Sequence, residues 1–268
     1  MRDLPEPADL HAWVSAAHGR LDWGDRMPSK AELAAQYGEG AAAESLRLLA
    51  KAAEAEPRIT RAVLTAIGTE ATPYQLKNRL KSPQSLARKL VRYHDLYQRT
   101  GRSPEDVLRY TAAVARPDQL TAAAVRTIDR LKAQQAEVAG ARHSYVDGSR
   151  YKGLHAFLQS YDQRYELQMH SAESIDIKEQ TTSLYEIERD TSQPPEVRAA
   201  ARRECIELSS AMTQPTGIGD LSELGGVPVR ALGYGGQAAR AACGERTPTS
   251  DAPRPRQPSL QRQEGITR

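Results

Sequence analysis

Apolar and small residues recur at helical spacing through residues 41–67, with Leu46, Leu49, Ala50 and Ala53 on one face. Pro57 interrupts the run, and the pattern predicts two helices split at that point. A further helix is expected from Ser82-Pro83 to Tyr97, with Ser82 as N-cap and Pro83 in the first turn. Residues 1–40 read as short helical pieces joined by Pro- and Gly-containing turns. Beyond Gly101 the character changes. Residues 106–114 have strand content, 119–139 read as a helix, and 153–159 and 164–170 show clear alternation of apolar and polar positions. Only Ser160 to Asp162 separate the last two, which predicts a hairpin. Residues 171–189 and 196–212 return to helical spacing. Helices, then strand–helix–strand–strand, then helices make an α+β arrangement.

Composition changes this picture at one end. Residues 211–268 hold 9 of the 18 Gly and 6 of the 16 Pro, with Tyr234 as their one aromatic residue. A segment that poor in apolar surface is expected to stay disordered. The expected organisation is a helical N-terminal extension (1–68), a central domain (69–212) and a disordered tail (213–268). No apolar run approaches the ~20 residues of a membrane span. The first residues lack the basic and apolar blocks of a secretory signal. Two Cys give neither a disulfide framework nor a zinc set, so a reducing, cytoplasmic setting is expected. A net charge of +3 does not suggest a duplex-DNA binder.

Charge matters more by position than by sum. Only 8 of the 37 basic residues are Lys, and Lys77, Lys81 and Lys89 fall close together with Arg79, Arg88 and Arg92. Arg79 and Lys81 flank the start of the predicted helix at Ser82, whose free N–H groups favour an anion. Lys89 lies two turns on, on the face of Ser82 and Ser85. A solvated helix face accounts for Arg88 and Arg92 but not for Arg79 and Lys81. In the strand at 164–170, Tyr165, Leu167 and Met169 share one face and Glu166, Gln168 and His170 the other. An edge strand with a solvated face is the plain reading. A second carboxylate, Asp106, makes a Mg²⁺ site the sharper one.

These segments resemble the RelA/SpoT-type alarmone synthetases, pyrophosphokinases with a nucleotidyltransferase-like mixed sheet flanked by helices. Arg79-Leu80-Lys81-Ser82-Pro83-Gln84-Ser85-Leu86-Ala87-Arg88-Lys89 is similar to the family's Arg-x-Lys-(Ser/Thr)-x-x-Ser-(Ile/Leu)-x-x-Lys segment. Asp106-Val107-Leu108-Arg109 resembles the strand bearing its metal-binding Asp. Tyr151-Lys152-Gly153-Leu154-His155 resembles Gly-Tyr-Arg-Ser-x-His, and Glu166-Leu167-Gln168-Met169-His170 resembles Glu-(Val/Ile)-Gln-(Ile/Val)-Arg. The four occur in family order.

The resemblance implies that Arg79, Lys81, Ser85 and Lys89 bind ATP, and that Asp106 and Glu166 bind Mg²⁺ and act in catalysis. It implies that Tyr151, Lys152, His155, Gln168 and His170 meet the acceptor. The implied reaction moves the β,γ-pyrophosphate of ATP to a ribose hydroxyl of GDP, GTP or an adenosine nucleotide, with a growth-inhibiting product. The stretch 166–189 resembles a divergent, toxin-like branch, in which Ser174, Lys178, Leu184, Tyr185, Glu186 and Arg189 fit the pattern. On a helix Ser174, Lys178 and Tyr185 share a face that would point back at the site. That branch leaves open the tRNA 3′ end as acceptor, an antitoxin or immunity protein as partner, and a homo-oligomer. The family's Asp-Ile-x-Gly-x-Arg is shortened here to Asp106-x-x-Arg109, which keeps an inactive nucleotide- or RNA-binding module as the alternative.

Overall fold

The computed structural model describes Met1 and residues 3–234. The N-terminal helices are α1 (Pro7–His18), α2 (Lys30–Tyr37) and α3 (Glu39–Ile67). There follow β1 (Thr72–Pro73), α4 (Pro83–Arg92), α5 (His94–Thr100), β2 (Arg109–Val114), α6 (Leu120–Ala133) and β3 (Glu137–His143). The chain then forms β4 (Leu154–Ser160), β5 (Gln163–Ser171), α7 (Ala172–Gln180), α8 (Thr182–Arg189) and α9 (Pro195–Ser210), and ends on β6 (Glu223–Leu224) and β7 (Val227–Ala231). The sheet is mixed, in the order β1-β2-β5-β4-β3-β7-β6. The protein is α+β, a seven-stranded sheet flanked by helices. Among the described residues no helix is long and apolar enough to cross a membrane.

Strands β4 and β5 form the expected antiparallel hairpin, closed by Tyr161 and Asp162 at φ 52° and 58°. Two successive left-handed residues make the turn whose twist suits adjacent strands. Parallel pairing sets Arg109 of β2 opposite Glu166 of β5. The apolar face of β5 enters the core, where Tyr165 meets Tyr110 edge-on at 6.1 Å. Leu46, Leu49, Ile59 and Val63 of α3 join the same core, so residues 1–68 are packed into the domain rather than appended to it.

Four expectations need correction. Residues 39–67 form one helix of 29 residues that continues through Pro57. Proline removes the N–H that would bond the Ala53 carbonyl, but the residues around it are packed into the core and hold the helix through that gap, and His18 Nε2 lies 2.9 Å from the Pro57 carbonyl. The helix beginning at Pro83 stops at Arg92, and Tyr93 leaves helical geometry before α5. The helix expected over 119–139 ends at Ala133. Gln135 takes φ 69° and the chain turns into β3, a strand the pattern did not predict. The tail expected to be disordered from 213 carries β6 and β7, and β7 pairs in parallel with β3. Its glycines supply the turn, with Gly225 at φ 66° and Gly226 at φ 95°. The rest of that expectation, residues 235–268, lies outside the described residues.

Candidate active site

The 79–81 segment runs antiparallel to 107–109. Lys81 N–H donates to the Val107 carbonyl at 3.0 Å, and Arg109 N–H to that of Arg79 at 2.8 Å. This pairing brings the start of α4 against the turn that holds Asp106. Ser82 caps α4, its hydroxyl accepting from Ser85 N–H at 3.3 Å. Lys89 donates to Asp106 Oδ1 at 2.6 Å, and Lys81 lies 3.0 Å from Oδ2. Burial works to raise the Asp106 pKa, but the two ammonium groups override it and hold the carboxyl down at about 2. Lys81 is pushed below its ordinary value by burial, which Asp106 only partly offsets.

Glu166 occupies the other wall. It is 4% exposed, and its Oε1 lies 2.7 Å from His155 Nδ1 on the neighbouring strand β4. Burial favours its neutral form, yet the bond and charge of His155, together with Arg109, outweigh that and lower the pKa. Asp106, Glu166, Arg109, His155, Gln168 and Tyr151 all line one cavity of about 570 Å³. Lys81, Ser82 and Ser85 line a smaller recess of about 200 Å³ that shares Asp106 and Arg109 with it. The two spaces therefore meet at the Asp106–Arg109 turn. Ser85 and Lys89 stand on this cleft, Lys89 lining the larger space.

Three expected contacts lie elsewhere. Arg79 is 1% exposed and spends its donors inside the protein. Its Nε bonds Glu56 at 2.6 Å, Nη1 the Leu76 carbonyl at 3.2 Å, and Nη2 the carbonyls of Val14 and Gly19, each at 3.1 Å. It ties α1, α3 and the 76–79 turn together, and at 1% exposure it presents no donor to the cleft. Lys152 is buried and absent from the cleft lining. His170 is fully buried beneath Tyr151, bonded to the tyrosine hydroxyl at 2.8 Å and to Ser174 Oγ at 2.9 Å. It holds Tyr151 in place from below. Of the helix face 174/178/185, Ser174 is taken up by His170, whereas Lys178 and Tyr185 reach the cavity. Lys77 pairs with Asp22 at the surface.

The structure adds residues that the motifs left unassigned. Arg109 pairs in register with Glu166 and lines the cleft beside Asp106. Arg142 of β3 stacks over Phe157 at 4.7 Å and Tyr234 at 5.8 Å. Arg150 lies 4.5 Å over the Tyr185 ring and 3.2 Å from Glu188. Tyr234, just past β7, meets Tyr151 edge-on at 5.5 Å. The helical reading of 137–139 and the disordered reading of the tail hid Arg142 and Tyr234. The Asp106-x-x-Arg109 spacing was the one sequence signal for Arg109.

Among the described residues no three His, Cys, Asp or Glu side chains cluster as a self-sufficient metal cage. Two ionised carboxylates on one cavity nevertheless fit a hard divalent cation that completes its shell with phosphate and water oxygens.

The chain matches no protein-family model and no curated protein. Among solved structures it is similar to small alarmone synthetase 2 of Bacillus subtilis, at 13% identity and TM-score 0.38, over 62% of this chain and 90% of that one. It is similar to a GTP pyrophosphokinase family protein of Streptococcus pneumoniae at 16% identity and TM-score 0.37, over 71% and 91%. For small alarmone synthetase 1 of Bacillus subtilis, bound to its product pppGpp, the identity is 17% and the TM-score 0.31, over 52% and 71%.

Proposed function

We propose that the protein is an ATP-dependent pyrophosphokinase that moves the β,γ-pyrophosphate of ATP to a ribose hydroxyl of a guanosine or adenosine nucleotide. The observation that carries this reading is one cleft with two chemically different walls. One wall is a lysine pair at a helix mouth; the other is a buried glutamate held by a histidine.

Lys81, Lys89 and the N–H groups at the start of α4 suit the phosphates of ATP, with Asp106 as the present occupant of both ammonium groups. Tyr151 offers its ring to the acceptor base, backed by Tyr234. Glu166 takes the proton of the acceptor hydroxyl, and His155 at its Oε1 keeps the carboxylate oriented. The hydroxyl oxygen bonds to the β-phosphorus as the bond from that phosphorus to the α–β bridging oxygen breaks, and AMP leaves with the bridging oxygen. Asp106 and Glu166 would hold Mg²⁺, which neutralises charge on the phosphate oxygens when bound.

The test is to incubate the protein with ATP and Mg²⁺ plus GDP, GTP, ADP or tRNA in separate arms, resolving AMP. AMP should appear in step with a pyrophosphorylated nucleotide. Glu166→Gln should slow its release by about 10²-fold or more, the size of a lost general base. No AMP in any arm, or an unaltered rate in Glu166→Gln, refutes the reading.

A further inference from the structure

Two cations of the cleft, Lys178 and Arg109, have no acid bonded directly to them, and Glu166 acts on both only at a distance. Lys178 projects from α7 between the main cavity and a small recess beside Tyr74, and lines both; Arg109 lines both as well. The neighbouring acids are engaged elsewhere. Asp106 is bound by Lys81 and Lys89, Glu166 by His155, and Glu179 accepts from the Tyr74 hydroxyl. Among the described residues neither Lys178 nor Arg109 has an ion pair or a side-chain hydrogen bond. The Lys178 ammonium rests 5.3 Å from the Tyr74 ring centroid. Burial and, after it, the charge of Arg109 bring its pKa down to about 8 against the weaker opposing pull of Glu166 and Glu179. In the same cavity Arg142 Nε is buried without a partner.

The contrast with the α4 mouth is informative. There two lysines are offset by one aspartate. Here a lysine and an arginine stand together with no offsetting bond, a costly arrangement unless an anion arrives. We propose that Lys178 and Arg109 form a second anion subsite, separate from the Lys81–Lys89 pair, which takes a pyrophosphoryl group. The choice of pyrophosphoryl rests on the reaction proposed above; the two cations without a bonded acid do not. In that reaction a group with several negative oxygens changes hands between the Lys81–Lys89 wall and Glu166. Cations on both sides of its path neutralise it before and after transfer. Lys178 then touches the transferring group and counts as a catalytic residue.

The test uses inorganic pyrophosphate and needs no turnover. Calorimetric titration should show affinity about tenfold weaker in Lys178→Met than in the unaltered protein, the effect of one charge-assisted bond. Lys178→Arg should restore most of it, and thermal melting of both variants checks folding. In the unaltered protein, amine labelling at pH 7.5 followed by peptide mapping should find Lys178 reactive, and pyrophosphate should protect it. Equal pyrophosphate affinity in Lys178→Met, or labelling that pyrophosphate leaves unchanged, overturns the subsite. Pyrophosphate bound through Lys178 in a protein that releases no AMP keeps the subsite and refutes the pyrophosphokinase. AMP release undisturbed in Lys178→Met does the reverse.

Discussion

His170 is neutral in the folded protein. Burial, and after it the nearby charge of Lys178, hold its pKa well below the ordinary histidine value. An unfolded chain takes up that proton near pH ~6.5, whereas the folded one does not. The stability contributed is therefore complete above pH ~6.5 and is lost as pH falls toward the folded value, at about 1.4 kcal/mol per pH unit. His143, also lowered by burial, acts with the same sign. Urea unfolding at pH 7.5 and 5.5 should show a fall in stability for the unaltered protein, and His170→Gln should flatten it. An unchanged slope in the variant would assign the effect elsewhere. The alternation of β5 correctly put His170 on the Glu166 face. Its burial was not legible, because that depends on Gly153: a Cβ there would sit 2.9 Å from His170 Cε1. One missing methyl group on the adjacent strand lets the imidazole under Tyr151.

Arg79 teaches the same lesson one level up. The motif and the helix mouth both nominated it for phosphate, and a local reading of the chain had no means of seeing Glu56. The Glu56 carboxylate comes from the middle of α3, 0% exposed, and also accepts from Thr60, whose hydroxyl meets Tyr110. A single guanidinium thus fastens α1, α3 and the 76–79 turn behind the site. Removing one partner of such a buried pair strands the other charge and costs about 3–5 kcal/mol. Arg79→Met should show that loss in denaturant unfolding, whereas Arg88→Met on the exposed side of α4 should change little. Equal stability of the two variants would contradict the bracing role. Other elements were legible to unequal degree. The β4–β5 hairpin followed from clear alternation and a short gap, and α4 from Ser82-Pro83. Strand β3 was missed because the helical pattern runs into it unbroken. The break comes from a left-handed Gln135, which carries no glycine to announce it.

Over the whole molecule, composition misled most at the C-terminal side. Glycine and proline point to disorder by composition, but Gly225 and Gly226 form a hairpin turn packed so close on β3 that a Cβ on Gly225 would lie 2.6 Å from Val138. Ile218 and Leu224 are in the core, with Leu221, Val227 and Val229 packed against it. Two truncations separate these contributions. A chain ending at Ser222 lacks β6, β7 and Tyr234; one ending at Tyr234 keeps them. The shorter should melt at lower temperature than the longer and bind GDP, a proposed acceptor, more weakly. Matching melting and binding would detach β7 from the site.

The strand order has a consequence in time. Ala141 of β3 waits for Val229 of β7, and the Tyr151 wall waits for Tyr234 beyond it. During synthesis from the N-terminus, the lysine pair, Asp106, the Glu166–His155 pair and Lys178 have all emerged while one flank of the sheet is still bare. The cleft gains its last aromatic wall only when residue 234 leaves the ribosome. A nascent chain thus carries every charged group of the site before it has a finished pocket, so emergence of β7 and Tyr234 is itself the step that completes the pocket.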